Sequence, residues 1–273
     1  MMTSGGRGVG AGVAGVVLVL QLSLVVAGAR AGSGAGPRVL EHGVERAEVR
    51  VVAEAGGLRR YELTTTAELR DGRPSGRRIE VAEEPGRPLV RSGNPMFDAL
   101  YALALDEASA NAVEAISDEA YGDGEPLTLA AFETGEKWTY VWSRDLAFAL
   151  DLGLANYDPG RAVSSLLFKS SPLKPGIAGG AERQIIQDTG SGGSYPVSSD
   201  RVVWALGAQA ALDQLGDARR AEFLESIYPV LCGTIEQDRR LVFDARSGLY
   251  RGEQSFLDWR EQTYPQWTSG DVL

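Results

Sequence analysis

Between Gly32 and about Gly93, apolar and polar positions alternate in short runs: Ala47-Glu48-Val49-Arg50-Val51-Val52, Arg60-Tyr61-Glu62-Leu63 and Arg78-Ile79-Glu80-Val81. A period of two is the signature of strands with one buried face. Gly-Gly, Asp-Gly-Arg-Pro and Glu-Pro-Gly punctuate the runs, and Asp71-Gly72 is a hairpin signal. The region predicts a few strands packed on the helical remainder of the chain.

From Asn94-Pro95 the period changes. Met96, Phe97, Leu100, Leu103 and Ala104 recur at three and four, with Pro95 at a first helical position, and predict an amphipathic helix running to about Ile116. Residues 117–137 read as a long acidic loop with a solvated surface. Helical text resumes after Ser143, a candidate N-cap, with Asp145 in the first turn, where the helix dipole favours a negative charge. Asp158-Pro159 opens another helix, and Ser199 or Asp200 caps a third that carries Val202, Val203 and Trp204. A helical pair over Asp217 to Asp238 comes next, with Phe223, Ile227, Val230 and Leu231 as its apolar seam. The glycines of 190–193 lack a following Gly-Lys-Ser/Thr, so they form a conformationally free loop and not a phosphate cradle.

The start of the chain adds a targeting reading. Arg7 gives a weak positive n-region, Val13 to Ala27 an apolar core, and Ala29-Arg30-Ala31 a small-residue cleavage signal, so residues 1–31 read as a signal peptide and the chain as exported, periplasmic or extracellular. An uncleaved membrane anchor is the alternative, because the uncharged stretch from Gly8 to Ala29 approaches the roughly 20 residues that span a bilayer. With no acid in the first 31 residues, losing Arg7 and Arg30 takes the net charge from −10 to −12. That balance argues against nucleic acid and anionic membrane surfaces, which need clustered Lys and Arg. Neutral ligands stay allowed. At 273 residues, 44% of them hydrophobic, the chain is long enough for one large or two small cores. Cys232 is the only cysteine, so no internal disulfide forms, and His42, the only histidine, sits on a polar segment and reads as a surface residue. The acidic loop fits no calcium-loop spacing, so neither metal nor cofactor is expected.

Candidate chemistry concentrates in Lys137-Trp138-Thr139-Tyr140-Val141-Trp142-Ser143-Arg144-Asp145. Flat indole and phenol faces suit the C–H faces of a pyranose, and Arg144 and Asp145 can fork onto adjacent hydroxyls. The plain reading is that Asp145 serves the helix and Arg144 is solvated. Asp200, Arg201 and Trp204 repeat the aromatic-Arg-Asp set at another helix start, which favours a shared carbohydrate cleft.

Tyr140 to Ala149 resembles the segment with which glucoamylases and related six-hairpin glycosidases hold the sugar at the cleavage point. The resemblance implies an all-helical toroid of six inner and six outer helices, inverting cleavage of O-glycosidic bonds, hydroxyl contacts from Arg144 and Asp145, and a subsite lined by Trp142. The later segment Glu253-Gln254-Ser255-Phe256-Leu257-Asp258-Trp259 resembles the acid-bearing segment of trehalases and glucosidases in the same group. By that likeness Asp258 is the general acid and Trp259 a substrate contact. Leu257 is an extra residue against the trehalase pattern, so Glu253 and Glu261 stay as rivals. Phe256, Trp259 and Trp267 could raise the acid's pKa by an apolar setting, and Glu253 or Glu261 by negative charge. An inverting base is a second carboxylate roughly 6.5–9.5 Å from the acid, and in this group it lies well downstream. The helical segments after Pro95 amount to about half of the twelve required.

The expectation is therefore a mainly α protein: signal peptide 1–31, a small β-rich segment 32–93, and over 94–273 an incomplete (α/α)6 toroid, the N-terminal part of a longer glycosidase with doubtful activity alone. A non-catalytic carbohydrate-binding protein using the same aromatic cleft is the rival. A polysaccharide lyase ranks below both, because its proton-handling Tyr and His pair cannot be assembled around His42.

Overall fold

The computed structural model describes residues 36–67, 78–117, 125–135, 139–170, 184–185, 199–252 and 271–272. The chain divides into two compact units, Met1–Ala110 and Asn111–Leu273.

In the first unit, β1 (Arg38–His42), β2 (Glu45–Ala55), β3 (Leu58–Thr65) and β4 (Arg78–Ala82) form an antiparallel sheet in sequence order. The alternating runs lie within β2, β3 and β4. Register places Val49 opposite Leu63 and Tyr61 opposite Val81, and the buried Val49, Tyr61 and Val81 form one face. Gly56 and Gly57, both at positive φ, make the two-residue β2–β3 turn, a conformation that matches the twist of the strands. Helix α1 (Pro95–Ala110) brings Ala99 and Ala102 to that core. Their small side chains let the helix lie close to the strands.

The second unit starts with the hairpin β5 (Ala112–Ile116) and β6 (Leu127–Phe132). The amphipathic pattern thus ends as helix at Ala110, and part of the expected acidic loop is strand. Helix α2 (Ser143–Ala149) runs through a π-helical turn, Leu150–Leu154, into the short α3 (Ala155–Tyr157); α4 (Pro159–Phe168), α5 (Ser199–Asp213) and α6 (Asp217–Val242) complete the helices described. The helical pair expected over 217–238 is one continuous helix, α6, with Pro229 inside it. Short strands β7 (Phe243–Asp244), β8 (Leu249–Gly252) and β9 (Asp271–Val272) make a third sheet.

Packing explains why residues 112–132 are hairpin. Arg161 on α4 donates to the carbonyl oxygens of Val113 and Ala131, to Glu114 Oε1 at 2.7 Å and to Asp158 Oδ2 at 3.2 Å, and lies 5.9 Å over the Phe132 ring. Ser165 Oγ accepts from Phe132 N at 3.0 Å. One helix therefore satisfies the hairpin's backbone and covers Phe132, a non-local gain that helical periodicity cannot register. Asp158 caps α4 by accepting from Arg161 N, with Pro159 at the first position.

These elements correct the expected fold class. The described residues are 48% helical and 27% strand, in three sheets, an α/β mix and not an all-helical toroid of hairpins. The resemblance to six-hairpin glycosidases rests on short segments, of which Tyr140–Ala149 runs into α2 and Glu253–Trp259 lies outside the described residues, and neither carries information about the pairing of 112–116 with 127–132.

Candidate functional site

The aromatic stretch leaves β6 and enters α2, and Thr134 ties it at both ends. Thr134 N donates to Tyr140 O at 2.8 Å, and Thr134 Oγ1 accepts from Trp142 N at 3.3 Å. Trp142 is extended, at φ −86° and ψ 132°, and Leu146 N donates to its carbonyl at 2.8 Å, so Trp142 occupies the N-cap position. Ser143, the expected cap, is the first helical residue and is fully buried. Asp145 does lie in the first turn. In extended chain, side chains alternate: Val141 is buried, and Tyr140 and Trp142 emerge together on the other side.

Their rings lie 6.3 Å apart with an interplanar angle of 11°. Tyr140 is 37% exposed, and Trp142, Arg144 and Asp145 are half-buried. Phe148, four residues after Arg144 and on the same side of α2, is exposed. Two nearly parallel rings can hold a flat amphipathic ligand by stacking, and Arg144, with Nη1 buried, and Asp145 follow Trp142 within three residues.

The helix start that carries this platform is held by close packing. At Gly207 on α5, an added Cβ would lie 2.8 Å from the Ala147 Cα and 3.3 Å from its Cβ. Glycine therefore permits α5 to approach α2 backbone to backbone at Ala147.

The second aromatic-Arg-Asp group is placed differently. Trp204 has no exposed surface and donates Nε1–H to Leu166 O at 3.3 Å. Its ring faces are occupied by the core of the second unit. Arg201, 3% exposed, donates to Asp238 Oδ1 at 2.8 Å and to Gln237 Oε1 at 2.6 Å, tying α5 to α6. Burial raises the Asp238 carboxyl and the Arg201 charge opposes it. Asp200 lies in the first turn of α5, and its side chain is outside the described residues. The repeat of residue types thus places Arg201 and Trp204 in helix packing, and the exposed rings belong to the Tyr140–Trp142 group.

Asp258, Glu253, Glu261 and Trp259 lie outside the described residues, as do Lys137, Trp138 and residues 1–31, where a signal peptide is expected. Among the described residues no helix is long and apolar enough to cross a membrane, and no three His, Cys, Asp or Glu side chains group as a metal site would need.

Two participants escape the sequence reading. Thr134, a polar residue after a strand, has no signal of its own. Glu133, immediately before it, reads in sequence as one more solvated acid, yet it is half-buried and burial pushes its carboxyl above the ordinary glutamate value. Its backbone N–H donates to Asn111 O at 2.8 Å, holding it at the end of the hairpin.

Compared with protein-family models, curated proteins and solved structures, the chain finds no match in any of the three.

Proposed function

We propose that this chain binds carbohydrate, seating a sugar ring on the Tyr140–Trp142 platform, with Arg144 and Asp145 addressing its hydroxyls. The observation that carries the reading is the pair of nearly parallel rings, 6.3 Å apart, at the head of α2. Stacking against C–H faces costs such rings little entropy, because only two side-chain torsions are fixed. The partner is a neutral oligosaccharide or glycoside, which suits an acidic chain. The apolar leader over residues 1–31 supports an exported setting.

Hydrolysis of an O-glycosidic bond is the second reading. Two features favour it: the carboxyl of Glu133, raised by burial at the root of the aromatic turn, and the carboxylate-rich segment that contains Glu253, Asp258 and Glu261. A carboxyl raised by burial is the kind of group that protonates a leaving oxygen, which makes Glu133 a candidate acid in addition to Asp258.

Both readings are tested by thermal shift of the purified chain across glucosides, mannosides, rhamnosides and uronides, with reducing-sugar release measured in the same wells. A shift with one sugar class that disappears in Trp142→Ala supports the platform. Release abolished by Asp258→Asn or Glu133→Gln, with the shift retained, supports hydrolysis. No shift with any class contradicts the proposal.

A further inference from the structure

Helix α6 carries two apolar stripes, and the fold uses one. Phe223, Ile227, Val230 and Thr234 turn inward and are buried. On the adjacent face, Leu224, Tyr228, Leu231 and Ile235 succeed one another at intervals of four, three and four, the spacing of a two-helix seam. Leu224 is 40%, Tyr228 67% and Ile235 54% exposed, with Leu231 partly buried at the seam's inner edge. The stripe runs about 16 Å along the helix at 1.5 Å per residue.

We propose that this stripe joins two copies of the chain through an antiparallel pairing of α6 with α6. The charges along its open edge select that occupant and that direction. Glu225, Cys232 and Arg239 recur every seven residues and line one side of the seam. Glu225 and Arg239 are exposed, and Arg239 is held on this edge by its position 6.0 Å over the Phe243 ring.

A parallel pair of copies would turn this edge toward the opposite flank of the second helix, where Ile227 and Asp238 are buried in their own unit, and would leave Glu225 and Arg239 without each other. An antiparallel pair about a two-fold axis between Tyr228 and Leu231 sets Leu224 against Ile235 of the second copy, and Tyr228 against Leu231. Side chains tilt toward the N-terminus of their own helix, so Glu225 then reaches Arg239 of the second copy, twice per dimer. Cys232, small and uncharged, meets its equivalent at the centre. The face is thus complementary to itself in shape and charge, as an isologous interface requires.

The test is sedimentation of the full chain over a concentration series, with circular dichroism to confirm that each variant keeps its helix content. Wild type is expected to move from monomer to dimer, and Ile235→Glu to stay monomeric over the same range. Glu225→Arg or Arg239→Glu alone is expected to weaken the dimer roughly tenfold, because each places like charges together twice. The double variant Glu225→Arg with Arg239→Glu restores the pairing in reverse and returns the affinity to near wild type. A wild type that is monomeric at every concentration overturns the proposal, as does a dimer insensitive to Ile235→Glu. A charge-swapped double variant no tighter than the singles excludes the antiparallel pairing.

Discussion

The two units keep their interiors by different physics. The sheet unit encloses a polar network: Arg91 grips Glu83 with two bonds of 2.6 Å, Tyr61 OH donates to Glu83 at 2.7 Å, and Arg59 N donates to it at 2.7 Å. Asp98 accepts from Ser92 N and Oγ at 2.9 and 2.7 Å and from Arg59 at 3.3 Å. The helical unit has a larger apolar core, with Phe132, Leu146, Leu150, Leu166, Trp204 and Ile227, and Lys169, Arg201 and Asp238 among its buried charges. A network of charges ties stability to pH, whereas an apolar core ties it to volume. The Tyr140–Trp142 platform, proposed to bind sugar, stands on the second kind of foundation, so its geometry answers to packing more than to titration.

The largest expected effect breaks that foundation. Trp204→Ala empties the centre of the second unit and should cost about 3–5 kcal/mol, read as a fall in the denaturation midpoint. On the proposed function, sugar binding should fall with it, although Trp204 touches no solvent.

Acid should separate the units next. Burial by itself would raise the Glu83 carboxyl, but the hydrogen bonds from Arg91, Tyr61 and the Arg59 N–H outweigh it and bring it down to about 2. A depressed carboxyl contributes stability that is full above its unfolded value near 4.5 and is lost as pH falls toward 2, here roughly 3 kcal/mol. Glu107 has the opposite sign. Burial, helped by the Asp106 charge, raises it to about 7, so its contribution is present below about 4.5 and lost as pH rises through 7. Melting of the sheet unit followed from pH 2 to 8 should therefore peak near pH 4.5–5, and Glu107→Gln should flatten the neutral limb alone.

A smaller effect tests the helix contact. Gly207→Ala drives a methyl against the Ala147 backbone and should cost about 1–3 kcal/mol. On the proposed function it should also weaken sugar binding, because a displacement of α2 at Ala147 is carried back along the helix to Trp142 at its N-cap. Tyr140→Ala and Phe148→Ala, at exposed positions, should change stability by no more than about 0.5 kcal/mol. A change in ligand affinity without a change in melting temperature is the signature expected of them.

Legibility in the sequence followed the range of the interaction. Residues 47–52, 60–63 and 78–81 announced strands because alternation is local. Asp158-Pro159 announced a helix start for the same reason. The hairpin at 112–132 was hidden: its reward comes from Arg161 and Ser165, which lie 30 to 48 residues from the hairpin groups they hydrogen-bond. Trp204 imitated Trp142 because residue type says nothing of whether a helix turns a ring toward solvent or toward Leu166. The likeness to six-hairpin glycosidases rests on short segments, and a short segment leaves open what its neighbours in the fold pack against.

The most direct test of the sugar platform is calorimetric titration of wild type and Trp142→Ala with oligosaccharides from each neutral class. The expected result is saturable, exothermic binding of one class by wild type, with the heat lost in a variant that melts as wild type does. Equal binding by both proteins, or none by wild type in any class, would contradict the assignment of Tyr140 and Trp142 to a sugar.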